Sequence, residues 1–135
     1  RIHKKHLGDA HPHNIAALNN LALLYLDGRG VKQDKKKSLQ LYRMAAARGT
    51  AAAQYNAALL LRSTGHFEEA FAFCKLAADQ GLTSAENNLG MHYLNGVGVT
   101  RNLDEARRVF ERAAAKGDEE AKAKLAELGR AEVDE

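Results

Sequence analysis

The sequence predicts an all-α protein, a right-handed α-solenoid of three helix-turn-helix repeats closed by a C-terminal capping helix. Two observations carry this expectation. First, the chain matches itself at intervals of 36, 32 and 36 residues, which aligns Ala17, Ala53, Ala85 and Ala121, and beside them Leu21, Ala57, Leu89 and Leu125. Ser38, Ala70 and Ala106 form a third column, and Gly49, Gly81 and Gly117 a fourth. A period of this size marks stacked repeats, in which each unit buries its apolar face only against its neighbours. Second, helix formers dominate, no stretch alternates as a strand would, and the single proline, Pro12, precedes the repeats. At 135 residues and 45% hydrophobic content the chain is one domain by length, with enough apolar surface for a continuous core if the units stack.

Each unit reads as a helical hairpin. Leu18, Leu21, Ala22 and Tyr25 recur at helical spacing and place a first helix over 14–27. Its counterparts fall at 51–63 and 83–95, the second helices at 34–48, 66–80 and 102–116, and a last helix at 118–128 repeats only the first half of a unit. The units are therefore 14–50, 51–82 and 83–117, followed by the cap and tail over 118–135 and preceded by a stretch over 1–13. Thr83 with Glu86, and Asn102 with Glu105, have the spacing of capping boxes. Gly49, Gly81, Gly117 and Gly129 stand where a helix should stop and the chain turn left-handed. The change of period lies in the hairpin loop: Asp27–Asp34 and Asn95–Asn102 are long and glycine-rich, whereas Ser63-Thr64-Gly65 is about four residues shorter. Small residues such as Ala22, Ala58 and Gly90 let the helices approach closely.

Charge narrows the choice of partner. Twenty basic and 17 acidic residues leave a net charge of +3, too balanced for a nucleic-acid or anionic-membrane surface. The one compact basic run, Lys35-Lys36-Lys37, falls at a helix start and reads as a solvated face. No apolar run approaches the ~20 residues that span a bilayer. Cys74 is alone, so no internal disulfide forms, and this leans slightly towards a reducing, cytoplasmic setting.

The loops and helix ends resemble a known family. L-A-L-L-Y-L-D-G-R-G-V-K-Q-D followed by Y-R-M-A-A-A-R-G, and N-L-G-M-H-Y-L-N-G-V-G-V followed by F-E-R-A-A-A-K-G, are similar to Sel-one-like repeats, a branch of the tetratricopeptide superfamily. The middle unit has the tetratricopeptide-like loop T-G-H-F-E-E-A and returns to the Sel-one-like ending L-A-A-D-Q-G. Leu7–Tyr25 resembles the kinesin-light-chain type of repeat, which would make Arg1–His6 the tail of a preceding hairpin and the chain an excerpt of a longer array. The charged last helix resembles a solvent-facing cap.

Catalytic and metal chemistry find little footing. G-R-G-V and G-V-G-V lack the spacing of a phosphate-binding loop and no strand precedes them, so their glycines serve the loop backbone. His3, His6, His11 and His13 have ligand-like spacings, but no cysteine or acidic cluster accompanies them. Cys74 shares the interior column of Tyr42 and Phe110 and reads as a buried small side chain rather than a nucleophile. The expectation is a non-enzymatic module, without cofactor and monomeric when isolated.

One polar column points to binding. Asn20, Asn56 and Asn88 recur on the first helices, with Asn19 and Asn87 beside them, and an amide ladder of donors and acceptors can match a peptide backbone without reading its sequence. The tetratricopeptide resemblance implies that this column lines a concave groove, with Asn19, Leu23 and Leu26; Tyr55, Leu59 and Arg62; and Asn87, Met91 and Leu94 facing it. The partner is then another protein, bound through a peptide or helix. Two rival readings are a spacer or regulatory arm of a larger protein or enzyme, and single-stranded RNA recognition, which the charge balance disfavours.

Overall fold

The computed structural model describes residues 14–134, so the N-terminal histidines, Pro12 and the proposed tail of a preceding hairpin lie outside the described residues. The described residues form seven helices: α1 (Ile15–Asp27), α2 (Lys35–Ala47), α3 (Ala51–Ser63), α4 (Phe67–Asp79), α5 (Thr83–Asn95), α6 (Leu103–Ala115) and α7 (Glu119–Asp134). Each packs chiefly against the helices before and after it in the chain, which is the contact pattern of a solenoid.

The repeat columns become the core. Ala53, Ala85 and Ala121 are fully buried, as are Ser38, Ala70 and Ala106 in the facing column. Ser38 is the polar exception, and its hydroxyl donates to the Ala22 carbonyl at 2.7 Å, which satisfies a group that would otherwise be costly to bury. The core runs along the stack in three clusters. Leu18, Leu61 and Ala22 anchor the first, Cys74, Ala77 and Leu89 the second, and Phe110, Ala113 and Ala121 the third.

Caps fix where the helices begin. Asn14, Asp34, Thr50 and Asn102 are extended residues whose side chains accept from the backbone N–H three positions on, as N-caps do. The box expected at Thr83 does not form. Leu82 occupies the cap position without a side-chain bond, Thr83 is already helical, and Glu86 turns inward instead. Gly49, Gly81 and Gly117 take φ of 95°, 91° and 94° and close three equivalent turns between repeats. Gly129 does not end a helix. It lies inside α7, which continues to Asp134, because a helical glycine costs only about 1 kcal/mol and does not by itself stop a helix.

The two kinds of hairpin loop differ as their lengths imply. In the long loops the backbone closes from Asp34 N–H to Tyr25 O and from Asn102 N–H to Tyr93 O, both at 2.9 Å. A side chain ties each loop down, Gln33 Nε2 to Leu26 O at 2.7 Å and Arg101 Nε to Leu94 O at 3.0 Å. The short loop closes from His66 N–H to Leu61 O at 2.8 Å. Gly98 seats the last long loop against the start of α4: at φ 73° a Cβ there would stand 2.2 Å from the Phe67 carbonyl oxygen.

A polar tie recurs at the base of the second and third hairpins. In the second, Gln80 Nε2 donates to Gly49 O and to Gln54 Oε1, both at 2.9 Å. In the third, Lys116 Nζ donates to Gly81 O at 2.7 Å and stands 2.7 Å from Glu86 Oε1. That second approach is an ion contact without a directed hydrogen bond to Glu86 Oε1, and Arg112 adds a weaker one at 3.8 Å. The geometry is repeated while the chemistry changes from amide–amide to ammonium–carboxylate.

A close helix approach lies at Gly90. A Cβ at this position would meet the Phe110 ring at 2.6 Å, and Phe110 is fully buried. The residues in the same register are Ala22 with Tyr42 and Ala58 with Cys74, so the other two repeats carry alanine where the third has glycine. Gly90→Ala is expected to destabilise the protein by about 1–3 kcal/mol in urea denaturation. In a Phe110→Leu background that penalty should shrink by about 1 kcal/mol or more, whereas strictly additive effects would contradict the contact.

Candidate protein-binding groove

The first helices of the repeats, α1, α3 and α5, present side chains that line two clefts. One, of about 260 Å³, is formed by Leu26 of α1, Tyr42 of α2, and Asn56, Leu59, Leu60 and Ser63 of α3. The other, of about 130 Å³, is formed by Arg62 of α3 and Met91, His92 and Asn95 of α5, with Val97 of the following loop. Both arise from the helical spacing. Asn56, Leu59 and Ser63 share one edge of α3, and Met91 and Asn95 one edge of α5.

The residues singled out in the sequence are distributed unevenly over this surface. Leu26, Asn56 and Leu59 come together in the larger cleft, and Arg62 and Met91 in the smaller. Asn20 and Leu23 are exposed on α1, while Tyr55, Asn88 and Leu94 are half-buried. Asn19 is half-buried, with its Oδ1 buried and without a hydrogen-bond partner among the described residues. Asn87 is the least accessible, at 8% exposure. Its amide donates to Asp118 Oδ2 at 2.7 Å, and the same oxygen accepts from Ala121 N–H at 2.9 Å at the start of α7. The Asn87 bond, with the Ala121 N–H second, holds the Asp118 carboxyl below the usual range. Asn87 thus orients the terminal helix.

Six lining residues were not singled out for the groove: Tyr42, Leu60, Ser63, His92, Asn95 and Val97. Ser63 and Asn95 occupy the same register as Asp27, two turns beyond the asparagine column, so the period contained the signal. Tyr42 belongs to an interior column and reaches the cleft only by its edge, being 7% exposed. Burial, and secondarily Asp27, raise its phenol pKa. His92 stands where the other repeats have Leu24 and Leu60, and nothing in that column marks it as a groove residue.

His92 is the buried titratable group of the smaller cleft. It is 3% exposed, its Nδ1 meets the Val97 carbonyl at 2.7 Å, and Phe71 contacts the ring edge-on at 5.8 Å between centroids. A carbonyl partner places the proton of the neutral ring on Nδ1. Burial lowers the His92 pKa, the Val97 bond opposes this, and the Arg62 charge lowers it further. Cys74 is fully buried, with its thiol 3.2 Å from the Ala85 carbonyl, and burial pushes its pKa up to about 12, so it packs as an uncharged side chain. Among the described residues there is no cluster of metal-ligating side chains, and no helix is long and apolar enough to cross a membrane.

With this geometry in view, comparison with known proteins is direct. The Sel1 repeat family model matches residues 15–50, 51–82 and 83–118. The chain belongs to the Sel1 repeat family. Among solved structures it is similar to a Sel1 repeat protein from Oxalobacter formigenes, with a TM-score of 0.74 and 29% identity over 91% of this chain and 94% of that one. It is 37% identical over 119 residues to the chitin synthase regulator SKT5 of Saccharomyces cerevisiae, covering 83% of this chain and 17% of that protein. It is 33% identical over 97 residues to the DAP3-binding cell death enhancer 1 of Rattus norvegicus, covering 70% of this chain and 19% of that protein. The chain therefore spans about a fifth of the length of these curated relatives. The Sel1 repeat stack is what the chain shares with these relatives, whose names describe binding of DAP3 in one and regulation of chitin synthase in the other.

The site carries a pH signature of its own. His92 has its folded pKa depressed below the ordinary 6.5, so above 6.5 it is neutral in both folded and unfolded chains and its contribution to stability is complete. Below 6.5 the unfolded chain takes up a proton that the folded one resists, and stability falls until the pH passes the lower native value. Urea denaturation as a function of pH should show this loss, and His92→Leu, which matches Leu24 and Leu60, should remove that part of the slope.

Proposed function

We propose that the face of α1, α3 and α5 binds an extended segment or a helix of another protein, with the first-helix asparagines addressing its backbone and the leucines and Met91 its apolar side chains. The observation that carries this reading is the pair of clefts between successive first helices, each combining apolar side chains with an amide: Leu26 and Leu59 with Asn56, and Met91 with Asn95. Such a combination suits peptide recognition, where backbone hydrogen bonds supply general affinity and pockets supply choice of side chain. Asn20, Asn56 and Asn88 are the ladder, with Asn19, Leu23, Tyr55, Leu59, Arg62, Asn87 and Met91 around it. Exposed Asn20 and Leu23 have freedom to engage a ligand, while Asn87 contributes through the α7 cap. The role is that of a non-catalytic interaction module, by itself or as an arm of a larger protein. The relatives named for binding and for regulation support it.

Selection of a displayed random-peptide library on the folded protein supplies the test. Peptides should enrich, and the variant carrying Asn20→Ala, Asn56→Ala and Asn88→Ala should lose about tenfold or more in affinity for them, at roughly 1 kcal/mol per amide contact. Its far-ultraviolet circular dichroism should be unchanged. Undiminished affinity in that variant would reject the ladder.

A further inference from the structure

The smaller cleft holds an uncompensated positive charge. Arg43, Arg107, Arg108 and Arg112 each have a carboxylate within 4.0 Å, at Glu69, Asp104, Glu105 and Glu86 respectively. Arg62 has no such partner among the described residues, although it is exposed and lines the notch with Met91 and His92. Its charge is felt inside the protein, favouring the thiolate of Cys74 and disfavouring the protonated form of His92. No acidic side chain lines either groove cleft.

The notch is also built rather than incidental. His92 forms part of its wall while being 3% exposed, and the Val97 carbonyl fixes the ring by its Nδ1, so one side of the notch is rigid and held from behind. Met91 supplies an apolar surface beside the guanidinium, and such surroundings strengthen a bond from Arg to a carboxylate by shielding it from water. The neighbouring cleft around Leu26 and Leu59 has no charged lining and suits an apolar side chain. Leu59 and Arg62 lie about one helical turn apart on α3, and adjacent helices are separated by about 10 Å, which corresponds to roughly two to four residues of extended chain.

We infer that the segment bound by this groove is acidic: an internal Asp or Glu side chain seats against Arg62 in the notch between α3 and α5, and a large apolar residue two to four positions away seats in the cleft between α1 and α3. This rests on the groove reading above and specifies the partner that reading leaves open. An internal acid is the source of the carboxylate, because the surface continues along α1 and α5 on both sides of Arg62 and leaves room for chain in each direction.

The test compares library selections on the wild-type protein, Arg62→Lys and Arg62→Glu. All three should remain folded because Arg62 is exposed and bonded to nothing that the fold needs. Wild type should enrich peptides with an internal Asp or Glu at that spacing from Leu, Met or Phe. Calorimetry with the leading synthetic peptide should show about a tenfold loss or more in Arg62→Glu, the range expected for a charged hydrogen bond, and most of the affinity retained in Arg62→Lys. Selection on Arg62→Glu should turn the preference at that position to Lys or Arg. Peptides that depend on Asn56 but carry no acidic preference would overturn the inference and leave the groove standing. Enrichment confined to C-terminal carboxylates would overturn the choice of an internal acid, and no enrichment at all would reject both groove and inference.

Discussion

The stack depends on how closely its helices can approach, and small side chains set that distance. Ala53, Ala57, Ala85, Ala113 and Ala121 are fully buried, and each gains little from its own transfer out of water. Their effect is indirect. They bring backbones near enough for the large residues to interdigitate, and Phe110, Leu18, Leu61 and Leu89 are the largest side chains fully removed from water. Gly90 under Phe110 is the extreme case, with the smallest possible residue beneath the largest buried ring. The same register that aligns the alanines inside aligns the first helices outside, so the groove is a by-product of core packing.

Polar ties set the angle between units once that approach is made. The amide tie at Gln54 and Gln80 and the ionic tie at Glu86 and Lys116 bridge the same three points, a helix end, a helix start and the turn glycine. A neutral tie involves little desolvation. The Glu86 carboxylate, at 3% exposure, is buried and depends on its cations. Asn87 and Asp118 continue the scheme at the last junction, where they aim α7. The surface of α1, α3 and α5 is therefore held by polar bonds of differing strength along its length.

The fold was legible because the period is a property of sequence alone: the columns named from Ala17 to Gly117 are those that pack and turn. Two local signals misled. Thr83 and Glu86 have capping-box spacing, but Glu86 has a stronger use opposite Lys116, a tertiary contact invisible to local pattern. Gly129 looked like a stop, yet glycine lowers helix stability without supplying the turn that ends one. The groove was legible in part. Asn56, Leu59, Arg62 and Met91, read from the asparagine column and its neighbours, line the two clefts. Asn87 shared their sequence signal but faces Asp118, because the α7 cap lies beside it. His92 and Tyr42 escaped because the other members of their columns are apolar, and only three-dimensional packing shows that their edges reach the clefts.

Packing and recognition meet in what we propose: the surface formed by the first helices receives the partner, and the opposite face of the second helices does not. The second helices do expose Met44 and Leu76, at 41% and 49%, so the two faces offer comparable apolar probes. The most direct measurement is a methyl NMR titration of the protein with a library-selected peptide. The account predicts shifts concentrated at Leu26, Leu59 and Met91, with Met44 and Leu76 unmoved. Shifts concentrated at Met44 and Leu76, with the groove methyls silent, would contradict it.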